Sequence, residues 1–192
     1  MKILKERIRR EGRHLGRGIL KVDSFLNHQV DPHLIMACGA ELARRFAHVQ
    51  ATKVLTAEIS GITPAFATAY YLHLPMVFAR KHKPVTMPDT VFLTLTPSHT
   101  KGRTVELMIS PEYIHAHDRV LIIDDFLATG ETLLGLVRLT EAAGAQVVGI
   151  GTVIEKTFEG GRDKLAALGV PVESLAQIAA LEGERIVFAD EK

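Results

Sequence analysis

One apolar segment that ends in two acids and a glycine turn constrains the fold of this chain more than any other stretch. Residues 120–132 read VLIIDDFLATGET, in which four apolar residues suited to a buried strand precede Asp124 and Asp125. A short loop with Thr129 and Gly130 then leads into a segment with helical periodicity, residues 131–143. In an open α/β sheet, ligands bind beyond the carboxyl ends of the strands. We therefore expect both acids and the loop to face a ligand crevice.

The rest of the chain alternates between short apolar segments and helical ones. Strands are predicted at residues 54–55, 76–79, 120–123 and 146–154, and helices at residues 3–12, 31–49, 64–72 and 131–143. Strands that alternate with helices imply parallel pairing with helices on both faces of the sheet. Residues 91–95 and 105–109 are typical of an antiparallel hairpin or a long flap. The predicted fold class is α/β, a doubly wound, mainly parallel sheet with an antiparallel flap and an N-terminal helical segment.

Length, charge and cysteine content exclude several classes of protein. A chain of 192 residues, 47% of them hydrophobic, is predicted to form one domain with a full core, since domains contain about 100 to 200 residues. Lys and Arg total 23 against 22 Asp and Glu, so the chain has no broad basic field for sequence-independent nucleic-acid binding. The single cysteine, Cys38, excludes an intrachain disulfide.

Neither secretion nor a membrane span is expected. The first residues scatter charges among apolar side chains and lack the apolar core of a signal peptide. The longest segment without Asp, Glu, Lys or Arg, residues 59–79, contains Pro64 and Pro75 and is interpreted as a loop, a helix and a strand. We expect one cytoplasmic domain over residues 1–192, with an N-terminal segment (1–50), a core (51–160) and a C-terminal segment (161–192).

The loop after the two acids has the properties of a phosphate site. Backbone N–H groups at the start of a helix lack intrahelical acceptors, and the helix dipole favours an anion there. The hydroxyls of Thr129 and Thr132 would add donors, and Gly130 would let the backbone approach closely. The lysine of a GxxxxGK[ST] nucleotide-binding loop is missing. The structural alternative is a strand, turn and helix in which Thr129 caps the helix and both aspartates are solvated.

The whole string resembles the motif that binds 5-phosphoribosyl diphosphate (PRPP) in the type I phosphoribosyltransferases. The resemblance implies that the two acids face the ribose hydroxyls as the catalytic pair, and that the following loop holds the 5-phosphate. The residues assigned in this way are Asp124 and Asp125 for the ribose, and Ala128, Thr129, Gly130, Glu131 and Thr132 for the phosphate. The fold that the resemblance implies is the type I phosphoribosyltransferase fold.

Two further segments resemble the pyrophosphate-binding parts of that family. The segment AEISGITP follows a predicted strand, and the resemblance assigns Ser60 and Gly61 to PRPP, although Ile59 stands where a small polar or basic residue is expected. The segment RKHK closes the next strand, and Lys81 is the candidate that serves the leaving group, with Arg80 second. Taken alone, a glycine turn and a solvated charged surface explain the two segments.

The predicted flap carries two cations of its own. Lys101 and Arg103 lie in the segment SHTKGRT between the two flap strands. A mobile loop at this place would exclude water from a reactive ribosyl cation. An ordinary exposed hairpin tip is the alternative.

The resemblance extends to the xanthine-specific phosphoribosyltransferases. It rests on LKVDSFLNHQVDP (residues 20–32), FARKHK (78–83) and VIEKTFEGGRDKL (153–165). In those enzymes the N-terminal segment covers the base, which implies that residues 1–50 cover xanthine while residues 51–160 bind PRPP. The xanthine-binding residues implied are Leu20, as an apolar contact, Asn27, as a polar one, and Lys156. From its pattern alone, the segment 20–32 is a connector between two helices.

Lys156 also has a physical argument of its own. It follows a predicted strand that ends at Ile154, so its ammonium group would lie near the crevice and donate to a purine carbonyl oxygen. An amino group at that ring position would place donor against donor, which disfavours adenine. The alternative is a surface lysine paired with Glu155 or Glu159. Phe158 would pack either on the purine ring or in the core.

The implied activity is transfer of the 5-phosphoribosyl group from PRPP to xanthine in purine salvage, giving xanthosine 5'-monophosphate (XMP) and pyrophosphate. Mg²⁺ carried with PRPP is the implied cofactor, and a metal site built from protein side chains is not expected, because the nine histidines form no HExxH. The implied partners are the two substrates and a second copy of the chain, with no nucleic acid and no membrane.

Two alternatives remain open. Transfer to guanine or hypoxanthine is the alternative within the family, since a contact between a lysine and a carbonyl oxygen serves all three bases. A PRPP-sensing regulator of nucleic-acid binding is the alternative from another class. It is disfavoured because the residues before Val54 show no basic winged-helix face and the overall charge is balanced.

Overall fold

The secondary structure follows the predicted alternation over most of the chain. A computed structural model describes residues 1–98 and 103–191. The strands in this part of the chain are β1 (Arg13–His14), β2 (Leu20–Lys21), β3 (Lys53–Ala57), β4 (Met76–Ala79), β5 (Phe92–Ser98), β6 (Arg103–Ile109), β7 (Arg119–Leu127), β8 (Gln146–Lys156), β9 (Val172–Glu182) and β10 (Arg185–Phe188). Its α-helices are α1 (Lys2–Glu11), α2 (Pro32–Phe46), α3 (Ile62–Leu72), α4 (Glu131–Ala142) and α5 (Gly161–Ala166), and shorter helical turns of other types lie at Asp23–Asn27, Ala47–Val49, Thr157–Glu159 and Ala189–Glu191. None of these helices is long and apolar enough to cross a membrane.

A six-stranded sheet lies at the centre, in the order β10-β9-β8-β7-β3-β4. The strands from β9 to β4 run parallel to their neighbours, and β10 pairs with β9 antiparallel at one edge. The prediction of a doubly wound, mainly parallel sheet is therefore confirmed. Because the parallel strands share one direction, the carboxyl ends of β3, β4, β7 and β8 lie at the same edge of the sheet.

Helices cover both faces of this sheet, each over its own apolar core. One core contains Leu42 and Phe46 of α2 together with Leu121 and Ile123 of β7. The other contains residues of α4 and of the β5-β6 hairpin, together with Val120 and Ile122 of β7. Alternate residues of β7 thus enter opposite cores, which explains why this strand needs an unbroken apolar run.

The N-terminal segment has more structure than the predicted connector. Residues 20–32 include β2 and a π-helical turn at Asp23–Asn27, whose Phe25 and Leu26 are fully buried. The expectation of a mere connector was wrong because burial of these two side chains orders the segment. The start of α2 is as predicted, since Asp31 accepts hydrogen bonds from the N–H groups of His33 (3.0 Å) and Leu34 (3.2 Å).

The C-terminal segment and the hairpin differ in how well the sequence predicted them. The predicted C-terminal segment contains β9 and β10, which hydrophobic periodicity did not reveal because β9 alternates imperfectly between buried and exposed positions. The predicted hairpin is confirmed, since β5 and β6 pair antiparallel along their whole length. Closure of Lys101 and Arg103 over the site stays a prediction, because Lys101 lies outside the described residues and Arg103 is described in its backbone alone.

Candidate active site

Asp124 and Asp125 lie near the carboxyl end of β7, at the ligand edge of the sheet. The strand continues past its predicted end to Leu127, so both acids stay within the sheet, and they are 6% and 7% exposed. The N–H of Asp125 donates to Asp124 Oδ1 over 2.9 Å. Burial, and then the charge of Asp125, raises the pKa of Asp124 well above its usual value, while the charge of Lys81 opposes this. Two buried carboxyls side by side favour a ligand that brings positive charge.

The loop after β7 has the form of the predicted cradle. Gly130 takes a left-handed conformation, with φ 81°, and α4 begins at Glu131 directly after it. Both acids, residues 128–132 and Lys81 line one cavity of about 230 Å³. N–H groups in the first turn of a helix have no intrahelical acceptor, so an anion in this cavity would meet ready donors. The structure therefore brings the assigned ribose and phosphate residues together.

Gly161, which the sequence reasoning missed, supports the cradle from behind. Its N–H donates to the carbonyl oxygen of Ala128 over 3.0 Å. A Cβ atom on Gly161 would stand 2.3 Å from that oxygen and 2.7 Å from the nitrogen of Gly130, so no side chain fits there. The paired glycines of FEGGRDKL were the available signal, but they also suit an ordinary helix start.

Glu58 fixes the basic segment after β4 and was likewise missed. Its Oε2 lies 2.9 Å from Arg80 Nε, and its Oε1 accepts a hydrogen bond from the N–H of Lys81 over 2.7 Å. The Arg80 side chain therefore pairs with Glu58, whereas Lys81 lines the cavity. Of the two basic candidates, Lys81 is the one that the structure places beside the acids.

Ser60 and Gly61 lie next to this cavity but outside its lining. Gly61 packs directly on Asp124, since a Cβ atom there would stand 2.3 Å from Oδ1. Ser60 is half-buried, and Ile59, which departs from the family pattern, is 77% exposed. The loop after β3 thus reaches the acids through its backbone.

A second cavity of about 350 Å³ adjoins the first, because Thr129 lines both. Its other walls come from the turn between β1 and β2 and from the residues after β8. They are Arg17, Gly18, Phe158 and Glu159. Phe158 is 45% exposed, so its ring lies at the cavity and not in the core. A flat ring beside a phosphate cradle suits a heteroaromatic base.

Lys156 lies behind the wall of this second cavity. Its ammonium group pairs with Glu159, one of the alternatives that the sequence left open, and donates to the carbonyl oxygen of Gly18 over 3.1 Å. The lysine side chain is only 12% exposed, so this is not a solvated surface pair. The ammonium group joins the residues after β8 to the turn before β2.

The other two assigned base contacts lie farther from the cavity. Leu20 is 9% exposed and belongs to the apolar core beneath α1 and α2. Asn27 is exposed at the end of the π-helical turn. Neither lines the cavity of Phe158, and their contact with a base stays a prediction.

Known proteins resemble this chain along its whole length. The phosphoribosyl transferase domain family matches residues 30–173. The xanthine phosphoribosyltransferase of Latilactobacillus sakei subsp. sakei (strain 23K) is 49% identical over 191 residues, which are 100% of this chain and 98% of that protein. The xanthine phosphoribosyltransferase of Lacticaseibacillus casei (strain BL23) is 50% identical over 191 residues, 100% of both proteins.

Solved structures agree with the fold. The adenine phosphoribosyltransferase from Rhodothermus marinus DSM 4252 is 28% identical with a TM-score of 0.73, over 93% of this chain and 100% of that one. The enzyme from Trypanosoma brucei, at 18% identity and a TM-score of 0.75 over 98% of this chain and 90% of that one, supports the fold alone. The family match, the fold and the assembled cradle show that this chain belongs to the phosphoribosyltransferase family. Within that family, the resemblance to the xanthine phosphoribosyltransferases is confirmed by the full-length relatives.

Proposed function

We propose that this chain transfers the 5-phosphoribosyl group of PRPP to xanthine, which yields XMP and pyrophosphate in purine salvage. The observation that carries this proposal is the junction of two cavities at Thr129, one lined by buried acids and a phosphate cradle, the other by an exposed aromatic ring. A sugar phosphate in the first and a base in the second would meet at that junction, as transfer between two substrates requires. The names of relatives at 49% and 50% identity support xanthine as the base.

The chemistry requires stabilisation of charge in two places. The bond between the ribose carbon and a pyrophosphate oxygen breaks, its electron pair leaves with pyrophosphate, and the same carbon bonds to a purine ring nitrogen. Asp124 and Asp125 orient the ribose and offset the positive charge that develops on it. The proton of the purine nitrogen is lost to water, and because xanthine is itself fairly acidic, no dedicated general base is required.

The phosphate groups are divided between two sets of residues. The cradle of Ala128, Thr129, Gly130, Glu131 and Thr132 holds the 5-phosphate, and Lys81, Ser60 and Gly61 serve the pyrophosphate. Mg²⁺ prefers oxygen ligands, and when bound to PRPP it supplies positive charge for the leaving group. We expect Mg²⁺ to be carried by the substrate, because PRPP and pyrophosphate offer several phosphate oxygens.

The base is recognised by residues of the second cavity. Lys156 donates to the carbonyl oxygen at C6 of xanthine, and Leu20 and Asn27 belong to the N-terminal segment that covers the base. Support for Lys156 is its place at the end of β8, directly behind Glu159 and Gly18 of the cavity wall. Guanine and hypoxanthine carry the same C6 carbonyl group and are the alternative acceptors.

A pyrophosphate-release assay with PRPP, Mg²⁺ and each purine and pyrimidine base tests the proposal. Xanthine should give the highest kcat/KM, and adenine should be a poor substrate despite the fold shared with adenine enzymes. A higher kcat/KM for guanine or hypoxanthine than for xanthine would make that base the substrate instead. Binding of PRPP without transfer to any base, together with salt-sensitive retention of nucleic acid on a filter, would favour a regulator.

We expect the enzyme to be a cytoplasmic homodimer. Phe66 and Tyr70 on α3 are each 59% exposed, and a cavity of about 540 Å³ runs along β4 at the open edge of the sheet. Large exposed apolar side chains are typical of interaction surfaces. Light scattering should report twice the 21.1 kDa mass of the chain, and a fully active monomer would contradict the expectation.

A further inference from the structure

Thr56, near the carboxyl end of β3, has a buried hydroxyl group that lacks a hydrogen-bond partner. The residue is 0% exposed, and its Oγ1 atom makes no hydrogen bond within the part of the chain that the structure describes. Thr68, Thr140 and Thr152 are buried to the same degree, and the hydroxyl group of each makes a hydrogen bond of 2.8 or 2.9 Å. A buried polar group without a partner costs free energy, so its presence requires an explanation.

The position of Thr56 suits an apolar side chain better than a hydroxyl group. All five residues of β3 are buried, and the strand lies between β4 and β7. Strands that are covered on both faces are rich in valine and isoleucine, and valine has nearly the same shape as threonine. A valine here would avoid the cost of the unpaired hydroxyl group. The reason for the threonine therefore lies in what surrounds its oxygen.

The hydroxyl oxygen of Thr56 lies beside Asp124, one of the two acids of the site. A Cβ atom on Gly61 would stand 2.3 Å from Thr56 Oγ1 and 2.3 Å from Asp124 Oδ1, so both oxygens border the space where a side chain of residue 61 would lie. Asp124 Oδ1 accepts a hydrogen bond from the N–H of Asp125 over 2.9 Å. Because a carboxylate oxygen has two lone pairs, Oδ1 has room for a second donor.

We propose that Thr56 is a positioning residue for Asp124, and that its hydroxyl group donates to Oδ1 when the carboxyl is ionised against the substrate. This inference rests on the proposed function, in which Asp124 offsets the positive charge of the ribose, and it deepens that function. A turn of the carboxyl group about its own bond brings the two oxygens together. The strands need not move, because Leu55 of β3 is already paired with Ile122 of β7 just before the two side chains.

The proposed bond supports the charged form of Asp124, which burial disfavours. Burial, and then the charge of Asp125, raises the pKa of Asp124, while the charge of Lys81 opposes this. A hydroxyl group that donates to the carboxylate favours ionisation and holds the orientation of the carboxylate. An oriented charge stabilises a transition state without reorganisation at the moment of reaction. The cost of an unpaired hydroxyl group in the ligand-free protein is then offset when the substrate is bound.

The inference predicts opposite effects of one substitution on activity and on stability. Thr56→Val removes the hydroxyl group and keeps the shape of the side chain. The kcat for xanthine should fall by about 10-fold, as loss of a hydrogen bond to a charged group does, while the KM values for PRPP and xanthine change little. The melting temperature should stay equal or rise, since an apolar group replaces an unpaired polar one. A merely structural threonine would give the reverse, a lower melting temperature and an unchanged kcat.

Thr68→Val is the matched control for this substitution. Thr68 on α3 is equally buried, but its hydroxyl group donates to the carbonyl oxygen of Pro64 over 2.8 Å. The control should leave kcat unchanged. Thr56→Ser keeps the hydroxyl group, and it should retain most of the wild-type kcat.

A double variant tests whether Thr56 acts through Asp124. In Asp124→Asn the charged acceptor is gone, so the addition of Thr56→Val should lower kcat by no more than about twofold further. An undiminished fall in that background would overturn the inference, and so would an unchanged kcat in Thr56→Val or a Thr56→Ser protein as slow as Thr56→Val. A wild-type protein that transfers the phosphoribosyl group to no base would overturn the proposed function, and this inference with it.

Discussion

The proposed phosphate cradle and the proposed base cavity of this protein are built in opposite ways. The cradle comes from one stretch of chain, residues 128–132, and offers mainly backbone donors whose positions follow from a glycine turn and a helix start. The base cavity is assembled from residues 17–18 and 158–159, which a hydrogen bond across 138 positions of sequence, from Lys156 to Gly18, holds together. The proposed phosphate site is therefore local in the sequence, and the proposed base site depends on tertiary contacts.

This difference explains how one fold serves several bases. A cradle made of backbone N–H groups depends little on the identity of its side chains. A cavity lined by a few side chains from separate segments changes with single substitutions. The R. marinus relative named for adenine shares the fold at 28% identity, whereas the relatives named for xanthine are 49% and 50% identical.

The largest expected effect tests the acids that line the cradle cavity and are proposed to face the ribose. Asp124→Asn should lower turnover by a factor of about 10² or more, because the variant loses charge that stabilises the transition state. Turnover at saturating PRPP and xanthine measures this, and circular dichroism confirms that the variant is folded. Unchanged turnover would remove Asp124 from the site.

The same variant has an expected effect on stability. Burial raises the pKa of Asp124 in the folded protein above its pKa in the unfolded chain. The contribution of this carboxyl to the free energy of unfolding is therefore fully present below the unfolded pKa and is lost as the pH rises through the folded pKa. Asp124→Asn should therefore raise the melting temperature of the ligand-free protein at neutral pH. The gain in melting temperature should vanish below the pKa of the unfolded chain, about 3.9. A difference in melting temperature that is constant with pH would contradict the pKa direction.

The next effect concerns the contact that joins the two parts of the base cavity. Lys156→Met should lower kcat/KM for xanthine by about 1.5 to 3 kcal/mol in transition-state terms, the usual value of a charged hydrogen bond. The KM for PRPP should change little. Lys21→Met, at the exposed position of β2 in the same hairpin, is the control. An equal loss of affinity for both substrates would break the distinction between the two regions.

The same contrast between local and tertiary construction determines which site residues can be predicted from the sequence. The apolar run of β7, the two acids and the turn at Gly130 are adjacent, so their roles follow from local pattern. Arg17 lies between two glycines, which indicates a turn, but its place in one cavity wall with Phe158 depends on residues far along the chain. Gly161 was missed for the same reason, since its contact with Ala128 joins two separate loops.

The secondary-structure elements likewise divide into those that the local sequence pattern predicts and those that depend on tertiary packing. The strands β3, β7 and β8 were predicted because they are mostly buried and contain apolar runs, and β4 was predicted because its four residues are apolar although it is only partly buried. The strand β9 has partly exposed positions, and the π-helical turn at Asp23–Asn27 is ordered by burial of Phe25 and Leu26. Local propensity does not specify such elements, because packing against the rest of the protein determines them.

A smaller effect tests whether the cradle depends on backbone position. Gly161→Ala would place a Cβ atom 2.3 Å from the carbonyl oxygen of Ala128, and forcing an extra group into packed structure costs about 1 to 3 kcal/mol. We expect the KM for PRPP to rise and kcat/KM for xanthine at saturating PRPP to change less. Gly169→Ala is the control, since Gly169 has no neighbour within 4 Å and a Cβ atom there strains only its own left-handed backbone. Matching effects of the two variants would show that contact of residue 161 with the cradle is not responsible.

The smallest effect concerns the side chain of Glu131, the cradle residue at the start of α4. Its Oε1 lies 2.6 Å from Lys164 Nζ on α5, and the two side chains are 27% and 46% exposed. Ion pairs as exposed as this contribute about 0 to 1 kcal/mol. If Glu131 serves the phosphate through its backbone N–H, Lys164→Met should change the KM for PRPP by no more than about twofold, because the cradle keeps its conformation without the pair. Any residual change should disappear at high salt, since screening weakens exposed pairs in the wild type as well. The measurement is the KM for PRPP at low and high ionic strength in both proteins. A tenfold increase that persists in salt would show that a side-chain contact positions the cradle, and the contrast with the base cavity would then fail.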